Sequence, residues 1–301
     1  MKQLRLLMAS AALALVTTTV HAGDLVRGVR GKISAGDLSS GIAAVEDYKL
    51  EAGIDEEYLN AVGWLARGAE LLRRPDLAEL YVAELHREIP VEKEEYLTPY
   101  GAAIEVEAKL IAAREGRGSA IRHLDGALAR ARDTSLRSRI SKNINMLSLE
   151  GQPAPPIGTT DFIGTAPPSL ASLKGKPVLL FLWANWCGDC KAQSASLTRV
   201  WEKYRDRGLK IIAPTRYYGS VDEKDATPAE EKEQVAKIWK ESYPGLDGVP
   251  VVIDTETMVR YGASASPSFV LIDRKGIVRL YTPTRLSESE LSRQIGQVLA
   301  D

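Results

Sequence analysis

The chain has 301 residues, 45% of them hydrophobic and 26% charged, with a formal net charge of −1 at pH 7. A length of this order suggests about two domains, the composition excludes a disordered chain, and near-neutrality gives no electrostatic reason to bind nucleic acid or an anionic lipid surface. Two cysteines in all are too few for a disulfide-stapled scaffold, and with no histidine nearby they are too few for a zinc site, so no metal is expected.

Residues 1–22 read as a signal peptide. Lys2 and Arg5 precede an apolar run over 6–16, too short to span a bilayer, and Val20-His21-Ala22 offers small residues at the −3 and −1 positions of a cleavage site. No cysteine follows the run, so attachment through a lipidated cysteine is not expected, and the mature protein is predicted to be periplasmic or secreted. Losing Lys2 and Arg5 would leave 37 Lys+Arg against 40 Asp+Glu, a net charge of −3.

From residue 23 to about 150 the pattern is helical, with apolar residues at three- and four-residue spacing. Ile42 and Val45 belong to one stripe, Leu59, Val62, Leu65 and Ala69 to the next. Pro75 marks a helix start, with Leu77, Tyr81 and Leu85 inward and Pro90 beyond its end. Ile104, Ala108 and Ile111 precede a break at Gly116 and Gly118, Ile121 and Leu124 follow it, and Asp133-Thr134 opens a last helix with Leu136, Ile140 and Ile144. Residues 78–85 and 120–127 both resemble the second helix of a tetratricopeptide-type hairpin, at an offset longer than that family's repeat. The segment is therefore read as an all-α helical-hairpin domain, similar to such repeats, that serves as a dimerisation module or holds a protein partner.

Prolines 153, 155 and 156 lie in a stretch, 151–158, that cannot continue a helix and reads as an extended spacer. Residues 159–301 then alternate strand and helix. A hairpin is expected around 157–163, a central strand over 178–183, a helix over 187–204, strands near 209–213, 249–253, 268–273 and 277–281, a capping-box helix from Thr227-Pro228-Ala229-Glu230 to about Ser242, and a final helix capped at Ser287. This predicts an α/β domain with a mixed, mostly parallel sheet flanked by helices.

The chemistry concentrates at Trp183-Ala184-Asn185-Trp186-Cys187-Gly188-Asp189-Cys190-Lys191, where both cysteines stand at a strand-to-helix junction. In an oxidising compartment such a pair closes a loop of only two intervening residues, which gains little stability, so the pair reads as redox-active rather than structural. The first sulfur lies near free N–H groups of the helix start, which favour thiolate, and the second lies one turn on, within reach of anything the first captures. Cys187 is thus the expected attacking thiolate and Cys190 the resolving thiol. Gly188 lets a substrate backbone approach, Trp186 offers an apolar flank and Trp183 belongs in the core. Asp189 either opposes the helix dipole and raises the pKa of Cys187, a reductive bias, or merely caps helix amides.

These residues resemble the W-A-x-W-C-x-x-C-K of the thioredoxin superfamily. The lead-in over 164–184 looks like its TlpA-like (redoxin-type) branch, whose members are exported thiol–disulfide oxidoreductases. Ala265-Ser266-Pro267-Ser268-Phe269 resembles that family's x-Pro-[TS] loop. The resemblance spans about 152–300. It implies a thioredoxin-like fold, a cis bond before Pro267 that turns the Ser266 backbone toward the sulfurs, and a substrate strand pairing there. It also implies oxidised cysteine-containing exported proteins as substrates, a membrane thiol carrier as electron donor, and no cofactor. One departure is marked. Thioredoxins carry an aspartate six residues before the first cysteine, to accept the proton of the resolving thiol, and Phe181 stands there. Glu223, Asp225 and Asp247 in the segment 214–248 are the candidate substitutes, with water as the alternative. A peroxiredoxin-type peroxidase would need threonine where Ala184 stands, and copper delivery would need a distal histidine that this region lacks. The competing class is a partner-binding helical protein with a redox-regulated accessory domain.

Overall fold

The computed structural model describes residues 23–300, so the expected signal peptide lies outside the described residues. Seven helices come first: α1 (Asp24–Ser34), α2 (Leu38–Ala52), α3 (Glu56–Leu71), α4 (Pro75–Glu88), α5 (Leu97–Glu115), α6 (Arg117–Arg130) and α7 (Thr134–Ser148). Local chemistry sets their ends. The carboxylates of Asp37, Asp55 and Asp133 accept from backbone N–H groups of the first turns of α2, α3 and α7, and Pro75 occupies the first turn of α4, where its missing donor costs nothing. Successive helices pack on one another, and two apolar clusters fill the array. One joins Val29, Tyr58, Leu65 and Leu85; the other joins Ile104, Leu124, Leu136 and Ile140.

The second half contains β1 (Phe162–Ile163), β2 (Val178–Leu182), α8 (Gly188–Ala192), α9 (Ser194–Tyr204), β3 (Lys210–Thr215), β4 (Ser220–Val221), β5 (Lys224–Asp225), α10 (Pro228–Ser242), β6 (Val251–Ile253), α11 (Thr255–Arg260), β7 (Ser268–Ile272), β8 (Val278–Thr282) and α12 (Glu288–Ala300). Six strands form one sheet in the order β1-β6-β3-β2-β7-β8. The helix-linked pairs β2/β3 and β3/β6 are parallel, as crossovers require, whereas β1/β6, β2/β7 and β7/β8 are antiparallel. The sheet with its flanking helices is a thioredoxin-like fold. It is mixed as expected, but antiparallel pairings outnumber parallel ones, so "mostly parallel" is corrected. A tight turn at 273–277 joins β7 to β8, and a turn of that length permits only antiparallel pairing.

Three further details differ from expectation. No hairpin forms around 157–163, because the Gly158 N–H is taken by the Thr257 hydroxyl (2.9 Å) and only Phe162 and Ile163 pair, with β6. The helix expected over 187–204 is broken at Gln193, whose N–H bonds back to Cys190 O at 3.0 Å. Its buried side chain accepts from Leu286 N instead (2.9 Å). Residues 151–158 continue no helix, open in a turn at Gly151 and are not free: Gly151 N and Ala154 N donate to Val278 O and Gly276 O, both at 2.9 Å, along the edge of β8.

Two elements had no counterpart in the sequence reading. One is α11, capped by Asp254. The other is the β4/β5 hairpin, whose turn residues Asp222 and Glu223 both adopt positive φ (48° and 64°), the geometry of a two-residue hairpin turn.

Candidate active site

Strand β2 is buried along its whole length because it lies between β3 and β7 with helices on both faces, and this explains its unbroken apolar run. Past Leu182 the chain turns through Trp183–Trp186, fixed by Cys187 N donating to Ala184 O (3.1 Å) and Trp186 N donating to the Asn185 side chain (3.0 Å). Cys187 is the N-cap of α8 and is joined to Cys190 by a disulfide with a Cα–Cα distance of 5.2 Å. The Cys190 N–H points at the Cys187 sulfur from 3.0 Å, a donor that stabilises negative charge on that sulfur once the bond is reduced. Cys187 retains 5% exposure and Cys190 none, so only the first sulfur can be approached from outside.

The sequence-predicted partners of the pair converge on it. The Ser266–Pro267 bond is cis, and the Ser266 carbonyl oxygen lies 3.4 Å from the Cys187 sulfur although 79 residues separate them in the chain. Ser268 fixes the loop by donating its hydroxyl to Ala265 O at 2.7 Å. Trp186 is 65% exposed and meets Tyr218 edge to face at 5.5 Å. A side chain at Gly188 would meet no atom within 4 Å, so this glycine leaves open space beside the sulfur. Trp183 is fully buried, packed with Trp239 and Tyr243. Asp189 is exposed and has a partner that the sequence reading did not consider, Arg285, whose Nη1 lies 3.3 Å from its Oδ1.

The three acids considered as substitutes at the Phe181 position are scattered. Asp225 and Asp247 are exposed, and Glu223 is exposed on the β4/β5 turn; none of them hydrogen-bonds either sulfur. The buried acid of this segment is Glu231, which the sequence reading missed. It is fully buried in α10 and accepts from Tyr218 N (2.6 Å) and Gly219 N (2.9 Å), tying the helix to the loop behind Trp186. A signal for it existed: Glu231, Val235 and Trp239 fall at four-residue spacing on one buried stripe. Beside it, Asn185, Trp186, Lys191, Asp222, Glu223 and Ile238 line a cleft of about 540 Å³ that opens next to the cysteines.

Residues 151–281 match the AhpC/TSA family. The chain is 25% identical over 147 residues to the thioredoxin-like protein YneN of Bacillus subtilis, covering 48% of this chain and 78% of that one. It is 32% identical over 130 residues to the thiol-disulfide oxidoreductase ResA of Bacillus anthracis, covering 42% of this chain and 66% of that one. Among solved structures, a thiol:disulfide interchange protein DsbE from Chlorobium tepidum aligns at 25% identity with a TM-score of 0.39, over 50% of this chain and 97% of that one. Helices α1–α7 lie outside the family match.

Proposed function

We propose that this chain, built around a redoxin-type domain, is an exported thiol–disulfide oxidoreductase that reduces or isomerises disulfides of other exported proteins. Its parts are a signal peptide over 1–22, a helical domain over 23–150, a docked spacer over 151–158 and the redox domain over 159–301. The observation that carries the reading is the Cys187–Cys190 pair at a helix start, with one approachable sulfur facing the carbonyl of Ser266.

In the reduced protein the Cys187 thiolate attacks one sulfur of a substrate disulfide. That S–S bond breaks, one substrate sulfur leaves as a thiol after taking a proton, and a Cys187–substrate mixed disulfide forms. Cys190, held one turn on, then attacks the Cys187 sulfur, releases the second substrate thiol and closes the Cys187–Cys190 bond. Two electrons pass to the substrate, and a membrane thiol carrier returns two to the pair. Escape of the mixed disulfide to another substrate cysteine gives isomerisation instead. The residues around the pair bind rather than react: backbone beside Pro267 pairs with a substrate strand, Trp186 supplies apolar contact, Gly188 admits the substrate backbone, and exposed Asp189 stands beside them.

The test is covalent trapping. With Cys190→Ala, substrates from an exported-protein extract are expected to accumulate on Cys187, while Cys187→Ala traps little; equal trapping by both, or by neither, overturns the assigned roles. The potential of the couple tests direction. A value near or below about −250 mV supports reduction, and one near about −120 mV identifies an oxidant instead. Wild-type protein that fails to reduce insulin after prior reduction would favour the partner-binding alternative.

A further inference from the structure

The last helix of the array belongs to two cores at once. On one side of α7, Leu136 and Ile140 pack into the helical cluster with Ile104 and Leu124. The Lys142 ammonium reaches toward Glu105 of α5 (4.0 Å), which Arg67 of α3 also approaches (3.4 Å). Burial alone would raise the Glu105 carboxyl, but Arg67, Lys142, Lys109 and Arg139 around it hold it below the ordinary carboxylate range. This joins α3, α5 and α7 into one charged knot. Just past α7, Leu149 is instead a member of the redox-domain cluster that contains Met258, Tyr261 and Tyr281, and the Glu150 carboxylate accepts from Tyr281 N at 2.9 Å.

The other side of α7 lies against α11 and the residue that follows it. The Asn145 amide, 9% exposed, donates to the carbonyl of Arg260 at 3.0 Å, and Arg137 pairs with Glu256 in the first turn of α11 at 3.2 Å. Gly262 comes so close to α7 that a Cβ there would overlap the backbone N and Cα of Lys142, and its φ of +65° is one that glycine adopts freely. Gly262 opens the segment that ends in the cis-proline loop. Only Ala263, Ser264 and Ala265 separate it from Ser266, whose carbonyl faces the Cys187 sulfur. Tyr261, just before it, is clamped by Tyr281, whose hydroxyl donates to Tyr261 O at 3.0 Å.

We infer that α7 is the support of the cis-proline loop: Asn145 and the α7 backbone at Lys142 are positioning groups that hold residues 260–266 so that the Ser266 strand is set for a substrate. The helical array is then part of the substrate-binding machinery, not a separate appendage. The physical warrant is that the segment's own backbone bonds, Gly262 N to Val259 O (2.9 Å) and Ala263 N to Met258 O (2.8 Å), join it to the end of α11 and not to the sheet, so its placement over the site follows what α11 and Gly262 pack on. What it packs on here is a helix whose far side is fixed in the array. The inference deepens the oxidoreductase reading and rests on it for the word substrate; the structural support is independent of it.

The experiment uses the full chain with Asn145→Ala and with Asn145→Asp, which keeps the shape but cannot donate to Arg260 O. Arg137→Ala, a milder cut at the same contact, serves if those two fail to fold. Leu85→Ala is the control: it loosens the array in a cluster that α7 does not join. Amide exchange over 261–266 is expected to quicken roughly five- to tenfold in the Asn145 variants, the loss of one buried hydrogen bond, and to stay at wild-type rates in Leu85→Ala. KM for insulin disulfides is expected to rise several-fold with kcat kept, while the alkylation rate of reduced Cys187 by iodoacetamide stays unchanged, because the sulfur itself is not touched. Unchanged exchange in the α7 variants, or equal acceleration in Leu85→Ala, overturns the inference. A wild-type protein inert toward insulin sinks the oxidoreductase reading alone, since the exchange measurement still reports the coupling.

Discussion

Among single residues, Asp189 changes most once its surroundings are known. From the sequence its carboxylate either raises the pKa of Cys187 and biases the couple toward reduction or merely caps helix amides. In the fold Arg285 lies 3.3 Å from it, both side chains being more than half exposed, so the charge near the sulfur is that of a solvated pair rather than a lone anion. The two changes are therefore expected to act in opposite directions. Asp189→Asn leaves Arg285 unopposed and eases thiolate formation, moving the midpoint of Cys187 alkylation to lower pH; Arg285→Ala moves it up. Each shift is expected to be below about one unit and to shrink in high salt, because exposed charges are screened over about 10 Å at 0.1 M. The double variant should return close to wild type. Alkylation against pH, run at low and high salt, checks this, and an unmoved midpoint in both single variants would mean that the pair does not act on the sulfur.

Among elements, the β7–β8 turn is set by one buried carboxylate. Asp273 accepts from Lys275 N (2.8 Å), Ile277 N (2.9 Å) and the Arg279 guanidinium (2.7 Å). Burial works to raise its pKa, but these bonds and the Arg279 charge outweigh burial and hold it below the ordinary 3.8. A carboxyl depressed in the folded state adds stability that is fully present above its unfolded value and is lost as pH falls through the folded one. Asp273→Asn is therefore expected to cost about 2 kcal/mol at pH 7, the scale of a lost hydrogen bond to a charged group. The gap to wild type should narrow as pH drops below about 4, where the unfolded chain takes up the proton. Urea unfolding at pH 7 and pH 3 measures both, and a gap that widens in acid would contradict the sign.

For the whole molecule, the boundary between array and redox domain runs through a shared core, not through the proline-rich stretch. Leu149 is 6% exposed and packs with Met258, Tyr261 and Tyr281 of the redox half. Leu149→Ala is expected to cost about 2–4 kcal/mol, the usual range for truncating a buried leucine, and to lower the unfolding transition followed by tryptophan fluorescence, to which buried Trp183 contributes. A loss confined to helical circular dichroism, with the fluorescence transition unmoved, would place Leu149 in the array alone.

Much of this was legible in the chain. The run 178–182, the cysteine pair, the capping box at Thr227 and the helix start at Pro75 are local signals: each depends on residues within a turn or two, and each stands in the fold where the pattern put it, whereas of the break expected at Gly116 and Gly118 only Gly116 lies outside a helix, Gly118 being within α6. Short elements were not legible, since α11 and the β4/β5 hairpin are too brief for a periodic pattern and are stabilised by tertiary contacts. The sense of the sheet, the partner of Asp189, the burial of Glu231 and the seating of Gly262 on α7 are facts about residues distant in sequence. By itself the sequence determined the chemistry, because a thiol pair and its helix lie within one turn of chain. Only the tertiary structure decided what surrounds that chemistry, because charge pairing, burial and close backbone approach depend on which distant segments meet, and no local pattern records the meeting.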